Sequence, residues 1–171
     1  MGADNFMVTI TAKTAEDGFL AAVDQAQWEY GHGGYTGTIA EKHGFTKISM
    51  PARMTVRKFE EVIMEYTDAS WAVEDARSQF QFMAGQQRQG NPIPKAAMAK
   101  CLREMQKAEK KRDALEAKYR GIARVAELYN DKWGAALCVE LSGTAAKVSK
   151  EIAGRKGTRD KVFTFFGLAS S

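Results

Sequence analysis

Two long stretches with alternating three- and four-residue spacing constrain the fold of this chain more than any other feature. The first stretch places its seam positions at Phe59, Ile63, Tyr66, Ser70, Val73, Arg77, Phe80 and Ala84. The second places them at Cys101, Met105, Ala108, Arg112, Leu115, Tyr119, Ile122, Ala126 and Tyr129. Such spacing is typical of a helix that is buried along one seam. Glycines and prolines fill the segment between them, Gly85 to Pro94, so the sequence predicts an antiparallel helical hairpin over 54–129.

The register and the charges of this hairpin can also be predicted. If the chain reverses near Asn91, facing residues have numbers that total about 182, which places Ser70 opposite Arg112. We expect these two side chains to form a polar layer in the seam. Residues 57–84 include three basic and six acidic side chains, whereas residues 95–129 include ten basic and five acidic ones. We therefore expect the acidic helix to neutralise part of the basic one.

The remaining residues predict an α/β body. Phe6, Val8 and Ile10 alternate with other residues, which indicates a strand with one buried face. Thr14 is expected to cap a helix that stops at Gly31. Further strands are predicted at 35–42, 45–50, 135–141 and 162–166, and a short helix at 144–153. The predicted fold class is α+β. It is a two-layer α/β sandwich with a mixed or antiparallel sheet of four to five strands, and the hairpin is inserted before the last strands.

Length and composition favour one soluble domain. The chain has 171 residues, with the body at 1–53 and 130–171 and the hairpin insertion at 54–129. No apolar run of membrane-spanning length and no leader segment is present, so we expect no membrane contact and a cytoplasmic location. Cys101 and Cys138 are predicted to be buried free thiols. The net charge of +4 permits a polyanionic partner without requiring one.

The first candidate site is the glycine-rich loop from Tyr30 to His43. Glycines allow a backbone to approach a ligand closely and to direct its N–H groups at an anion. We expect the ligand-binding side chains to be Tyr30, His32, Tyr35, Thr36, Thr38 and Trp133. The alternative is a helix stop followed by a flexible entry into a strand. The loop lacks the Walker lysine and follows a helix, which excludes a P-loop.

The second candidate site is a group of basic side chains formed by Lys147, Lys150, Arg155, Lys156, Arg159 and Lys161. At its centre is a basic turn, whose Arg155, Lys156 and Arg159 could hold phosphate, although such a turn is more often a solvated loop. We expect this turn and the glycine-rich loop to lie near one another at the sheet edge. Each of the three tryptophans is most simply interpreted as core or hairpin-base packing, although Trp133 could also line a pocket with the glycine-rich loop.

Three short segments resemble small uncharacterised bacteriophage accessory proteins. They are Tyr35 to Lys42, Asp131 to Gly134 and Phe165 to Ser170. The resemblance supplies no activity and no catalytic residues. It implies a phage-encoded protein, located in the host cytoplasm, that disarms a host defence by binding a host protein or a signal nucleotide.

The leading functional hypothesis is therefore a non-enzymatic binding protein without a cofactor. It would bind a small anionic, nucleotide-like ligand or a host protein and would form a homo-oligomer through the hairpin. One alternative is a nucleic-acid-binding protein that uses the basic helix and the basic turn. A second is a small hydrolase that pairs His32 or His43 with Glu29 or Glu41. The two histidines lack a third ligand residue, so no metal site is predicted.

Overall fold

The computed structural model describes residues 2–31 and 34–171. It divides into two compact units, one formed by Met1–Val56 with Glu127–Ser171 and the other by Arg57–Ala126. We call the first unit the body and the second the hairpin unit. The boundaries predicted from the sequence lie three residues from the observed ones.

Three consecutive helices separate the second strand from the third. The strands are β1 (Ala3–Ala12), β2 (Phe45–Lys47), β3 (Ala136–Leu141) and β4 (Lys161–Ser170). The helices are α1 (Ala15–Tyr30), α2 (Val56–Arg88), α3 (Lys95–Lys118), α4 (Ile122–Asn130) and α5 (Gly143–Ile152), with a short 3-10 helix at Ile39–Glu41.

The body is built on one four-stranded mixed sheet with the order β1-β4-β3-β2. Strand β4 pairs antiparallel with both β1 and β3, and the short β2 pairs parallel with β3. Helix α1 covers one face of the sheet, where the ring of Phe19 lies 5.7 Å from Phe165 and 5.4 Å from Phe45. The predicted α+β class with a mixed sheet and a helical hairpin is confirmed.

Helix α1 begins and ends where its sequence predicts. The Thr14 side chain accepts a hydrogen bond from the backbone N–H of Asp17 at 3.0 Å, which satisfies one of the unpaired donors of the first turn. Gly31 adopts φ 85° and donates to the carbonyl of Gln27 at 2.8 Å. A left-handed glycine at this position is a common helix stop.

The strand predicted at 35–42 is wrong. Thr38 instead caps the 3-10 helix Ile39–Glu41, because its side chain accepts a hydrogen bond from the N–H of Ala40 at 3.3 Å. Threonine favours strands on average, but its hydroxyl also competes for nearby backbone groups. Strand β2 is shorter than predicted and ends at Lys47.

The hairpin is formed by α2 and α3, and its second arm is not continuous. Tyr119 is the C-cap of α3, and a new helix, α4, begins at Ile122. Gly121 between them has φ 79°, a conformation that interrupts an α-helix. The single helix predicted to reach Tyr129 is therefore wrong.

The predicted register of the hairpin is also wrong, by about one and a half helical turns. The thiol of Cys101 donates to the carbonyl of Ala76 at 3.0 Å, so facing residue numbers total 177. Arg112 does not bond to Ser70. Its Nε and Nη2 instead donate to Oδ1 of the adjacent Asp113, at 3.0 and 2.9 Å. The Ser70 hydroxyl is buried without a hydrogen-bond partner in the part of the chain that the structure describes. The expected polar layer of Ser70 and Arg112 does not form.

The expected charge pairing between the two helices is likewise not found. Lys100 pairs with Glu104 at 3.8 Å, and Arg112 pairs with Asp113 at 2.9 Å, both within α3. Across the described ranges, no ion pair of α3 reaches α2. Direct ion pairs between the two helices therefore do not neutralise the basic side chains of α3 in the described residues.

Two other predictions about single residue types have opposite outcomes. Cys101 and Cys138 are buried free thiols, as predicted, and burial raises the pKa of Cys138 to about 11. The tryptophans are not in the core, since Trp28, Trp71 and Trp133 are 86%, 63% and 53% exposed. Among the described residues, no helix is both long and apolar enough to cross a membrane.

Candidate functional site

The glycine-rich loop is anchored to the sheet by its backbone. The N–H of Gly37 donates to the carbonyl of Ser170 at 2.9 Å, near the C-terminal end of β4. Gly37 has φ 69°, and an added Cβ would lie 2.9 Å from the carboxylate of Asp4. Only glycine suits this position, because both the backbone conformation and the close approach exclude a side chain.

A chain of hydrogen bonds holds the rest of this loop together. Glu41 accepts hydrogen bonds from the Thr36 backbone at 3.1 Å and from the Thr36 hydroxyl at 2.9 Å. The Thr36 and Thr38 hydroxyl oxygens are 2.8 Å apart. Since Thr36 gives its proton to Glu41, Thr38 is the donor of this third bond. These residues form a local brace, which we call the Glu41 brace.

The electrostatics of Glu41 follow from the brace. Partial burial acts to raise its pKa, but the hydrogen bonds from Thr36 and Tyr35 and the nearby His43 outweigh that effect. The pKa of Glu41 is therefore lowered, and the side chain is a carboxylate at neutral pH. A carboxylate whose Oε1 already accepts two hydrogen bonds is poorly suited to general acid–base catalysis.

A second loop, at 131–134, is folded by its own aspartate. The carboxylate of Asp131 accepts hydrogen bonds from the backbone N–H groups of Trp133 at 3.0 Å and Gly134 at 2.8 Å. This is an Asx turn, in which a short acidic side chain satisfies backbone donors two and three residues ahead. An added Cβ at Gly134 would lie 2.5 Å from the same carboxylate.

A buried lysine connects the two loops. Lys42 is only 4% exposed, and its ammonium donates to the carbonyls of Asp131 at 3.2 Å and Lys132 at 3.0 Å. Burial lowers the pKa of Lys42, and the Asp131 carboxylate partly offsets that effect. Because Lys42 directly follows the 3-10 helix, these two hydrogen bonds fix the 131–134 loop to the glycine-rich loop.

The two loops bring two aromatic rings together at the surface. The ring centres of Tyr35 and Trp133 are 6.2 Å apart, and the ring planes are nearly perpendicular at 85°. Both side chains remain more than half exposed. The ammonium of Lys132 lies 5.3 Å from the centre of the Trp133 ring. We call Tyr35, Trp133 and Lys132 the aromatic site.

The other predicted residues of the glycine-rich loop lie nearby or cannot be placed. Tyr30 and Thr38 line a cavity of about 530 Å³ between α1 and β1, together with Gln25 and Glu29. Thr36 is part of the Glu41 brace rather than of an open surface. His32 lies outside the described residues.

The basic turn is not part of this site. The glycine-rich loop meets Ser170 near the C-terminal end of β4, whereas the basic turn directly precedes Lys161, where β4 begins. A strand of that length separates its ends by roughly 30 Å. The expectation that the two loops are neighbours is wrong.

The charges of the basic turn are also largely paired. Arg155 lies 3.4 Å from Asp160, and Lys156 lies 3.1 Å from Glu151. No ion pair is found for Arg159 within residues 2–31 and 34–171. The turn thus presents less uncompensated charge than its sequence suggests.

Sequence reasoning missed four residues that shape the aromatic site. Asp131 and Gly134 carry a usable signal, because an aspartate three residues before a glycine is typical of an Asx turn. Lys42 and Lys132 carry no comparable signal, since their roles depend on contacts between distant parts of the chain.

A further cavity of about 640 Å³, lined by Met7, Thr9, Val139 and Thr164 among others, lies on the sheet face opposite α1.

Comparisons of the chain with protein-family models, curated proteins and solved structures find no match. Within the described residues, no group of three histidine, cysteine, aspartate or glutamate side chains is placed to hold a metal ion. The geometry of the aromatic site therefore carries the functional argument.

Proposed function

We propose that this protein is a non-enzymatic binding protein whose aromatic site takes a planar, anionic ligand of the nucleotide class. The observation that carries the proposal is the pair of exposed rings, 6.2 Å apart, beside the Lys132 ammonium. Large aromatic side chains ordinarily lose most of their solvent exposure on folding. Two that stay exposed and in mutual contact on a braced surface offer a surface for a second planar group.

The chemistry of the aromatic site suits such a ligand. A base or similar ring stacks on an aromatic face with a gain of about 1–3 kcal/mol. The ammonium of Lys132 lies 5.3 Å from the Trp133 ring, so it can meet a phosphate attached to the stacked ring. The Glu41 brace and the Asp131 turn hold both loops before binding, which reduces the entropy lost on association.

A host protein is the second occupant that the aromatic site suits. Tyrosine and tryptophan are the side chains most often found at the centre of protein interfaces. The resemblance to phage accessory proteins points in the same direction, since such a protein would act in the host cytoplasm on a defence protein or its signal nucleotide.

The hydrolase alternative finds little support. It requires Glu29 or Glu41 to act as an acid–base partner of a histidine, but Oε1 of Glu41 accepts two hydrogen bonds from Thr36. The pKa of Glu41 is also lowered, which moves it away from neutral pH. Glu29 accepts a hydrogen bond from Gln25 at 3.4 Å and lies on the surface of α1.

Self-association through the hairpin remains part of the proposal. Trp71 and Phe82 of α2 are 63% and 68% exposed. They are eleven residues apart, which places them on the same side of an α-helix, with Met64 on that side as well. A second copy of the chain would bury this apolar line, and light scattering during size-exclusion chromatography tests it. Trp71→Ser with Phe82→Ser should convert a dimer to a monomer, and a wild-type protein that is already monomeric at high concentration would remove the idea.

Ligand binding can be tested by calorimetry with a panel of nucleoside monophosphates and cyclic dinucleotides. We expect at least one to bind, and Trp133→Ala or Tyr35→Ala to weaken it by at least tenfold, the equivalent of about 1.4 kcal/mol. Trp28→Ala is the matched control, because Trp28 is an exposed tryptophan at 86% exposure outside the aromatic site. Absence of binding by the whole panel, or equal losses in Trp28→Ala and Trp133→Ala, would refute the nucleotide proposal.

A further inference from the structure

Helix α3 concentrates its basic side chains on one face. These side chains are three, four or seven residues apart in sequence, except for two that are adjacent: Lys100, Arg103, Lys107, Lys110, Lys111 and Lys118. At about 100° per residue, these positions occupy roughly one third of the helix circumference. We call them the basic face. All six side chains are exposed.

Acidic residues are nearly excluded from this face. Glu104 lies at its margin and pairs with Lys100 at 3.8 Å. Glu109, Asp113 and Glu116 project from the other side of α3, by the same angular reasoning. The seam residue Cys101, which bonds to Ala76 of α2, lies roughly 120° from the middle of the basic face. The basic face is therefore separate from the side that packs on α2.

Most of the positive charge of this face has no ion-pair partner within the described residues. Arg103, Lys107, Lys110 and Lys111 have no ion-pair partner in the ranges 2–31 and 34–171. The Lys118 ammonium lies 5.0 Å from the Tyr119 ring centre, a contact that leaves its charge in place. A row of like charges at such spacing is destabilising to its own helix. An external polyanion would remove that repulsion.

We propose that the basic face of α3 binds the phosphate backbone of double-stranded nucleic acid without reading its sequence. From Lys100 to Lys118 the face is about 27 Å long, at ~1.5 Å per residue. A duplex presents one negative charge for roughly every 1.7 Å of its axis, so several of the six cations can contact phosphates at the same time.

The residues of the face favour a duplex over a single strand. Ala114 is the other residue within this arc, and Glu104 and Ala117 lie at its margins, so the face has no aromatic ring on which an unpaired base could stack. It also has no asparagine or glutamine to read an adenine edge. Phosphate contacts alone give affinity without sequence preference.

Fluorescence anisotropy with a labelled duplex DNA of about 20 base pairs tests the proposal. The affinity of the protein for the duplex is measured at several salt concentrations, because binding to a phosphate backbone weakens as salt increases. The test variant is Lys107→Gln/Lys110→Gln/Lys111→Gln. The matched control is Lys13→Gln/Lys147→Gln/Lys156→Gln, which removes the same charge from exposed positions in the body. Glutamine keeps good helix propensity, and circular dichroism verifies that both variants fold.

We expect the wild-type affinity to fall with salt at a log–log slope between about −3 and −5. The α3 variant should bind at least tenfold more weakly at 50 mM salt and lower that slope by about three, whereas the control should change less than threefold. Equal losses in the two variants would show an effect of net charge alone and overturn the proposal. So would tighter binding of the single strand, or no duplex binding at low salt, the result expected if the face serves an acidic protein. Tyr35→Ala should leave duplex binding unchanged, so this proposal and the nucleotide proposal can fail separately.

Discussion

The glycine-rich loop and the basic turn carry similar promise in the sequence and differ sharply in the structure. In the glycine-rich loop, the polar side chains bond to the loop itself, and the aromatic rings are left at the surface. In the basic turn, the charged side chains that were expected to meet a ligand are paired with Asp160 and Glu151. In the glycine-rich loop, polar side chains stabilise the loop conformation and aromatic side chains remain available to a ligand. In the basic turn, ion pairs within the protein neutralise most of the charge.

This difference shows that residue type alone is a poor guide to a binding site. The hydrogen bonds and ion pairs that a side chain already makes within the protein are a better guide. A surface arginine or lysine with a nearby carboxylate offers little net charge to a ligand. An exposed ion pair also contributes little stability, typically below 1 kcal/mol. A partly buried carboxylate that accepts several hydrogen bonds contributes more, because its loss leaves donors unsatisfied.

The largest effect is expected from Glu41→Ala. This change removes the acceptor of both Thr36 hydrogen bonds, and hydrogen bonds to a charged group contribute about 1.5–3 kcal/mol. We expect the free energy of unfolding to fall by about 2 kcal/mol, as measured by urea denaturation. A loss below about 0.5 kcal/mol would mean that the brace is no more important than a surface ion pair.

The sequence predicted the local parts of this molecule and missed the long-range ones. Thr14 caps the start of α1 and Gly31 caps its end, as expected, because capping depends on residues a few positions away. The alternating spacing likewise predicted the two arms of the hairpin. The register of Ser70 and Arg112 was wrong because it depends on how the connection reverses, where Gly90 takes φ 86°. A shift of about one and a half turns changes every pair of side chains across the seam.

The aromatic site shows the same limit from the functional side. Tyr35 and Trp133 were both candidates, but their contact depends on Lys42, which is buried between residues far apart in sequence. Periodicity and propensity carry no information about such a contact, because a lysine is ordinarily exposed. The distance between the two candidate loops could not be predicted either, since it follows from the pairing of β4 with its neighbours.

A medium effect is expected from Asp131→Ala. The change removes the acceptor for the N–H groups of Trp133 and Gly134 and takes an opposite charge away from buried Lys42. We expect a loss of about 1 kcal/mol in unfolding free energy, the usual cost of deleting a capping aspartate. Trp133 fluorescence should also change, because its backbone is no longer fixed. Asp131→Asn, which keeps an acceptor oxygen, should retain most of the stability, and equal losses in both variants would contradict the Asx-turn assignment.

A smaller effect is expected from acid, and its sign follows from Glu41. The folded-state pKa of Glu41 is lowered relative to 4.5, so its stabilisation is present above that value and is lost as the pH falls through the folded-state pKa. Glu41→Gln keeps the shape but cannot ionise. The difference in stability between wild type and Glu41→Gln should therefore be largest near pH 6 and shrink toward pH 3. A constant difference across this range, measured by urea denaturation at each pH, would show that the charge of Glu41 has no part in the brace.

The smallest effect is expected from Arg155→Gln, which lies in the basic turn. Its guanidinium lies 3.4 Å from Asp160, and its side chain is 59% exposed, so solvent screens most of the interaction. We expect stability to change by less than about 0.5 kcal/mol and nucleotide binding at the aromatic site to remain as it is. Asp160→Asn sharpens the test, because this carboxylate is nearly buried and Arg155 is its ion-pair partner. If removing Arg155 weakens nucleotide binding as much as removing Trp133 does, the basic turn is a binding element after all, and the distinction between the two loops fails.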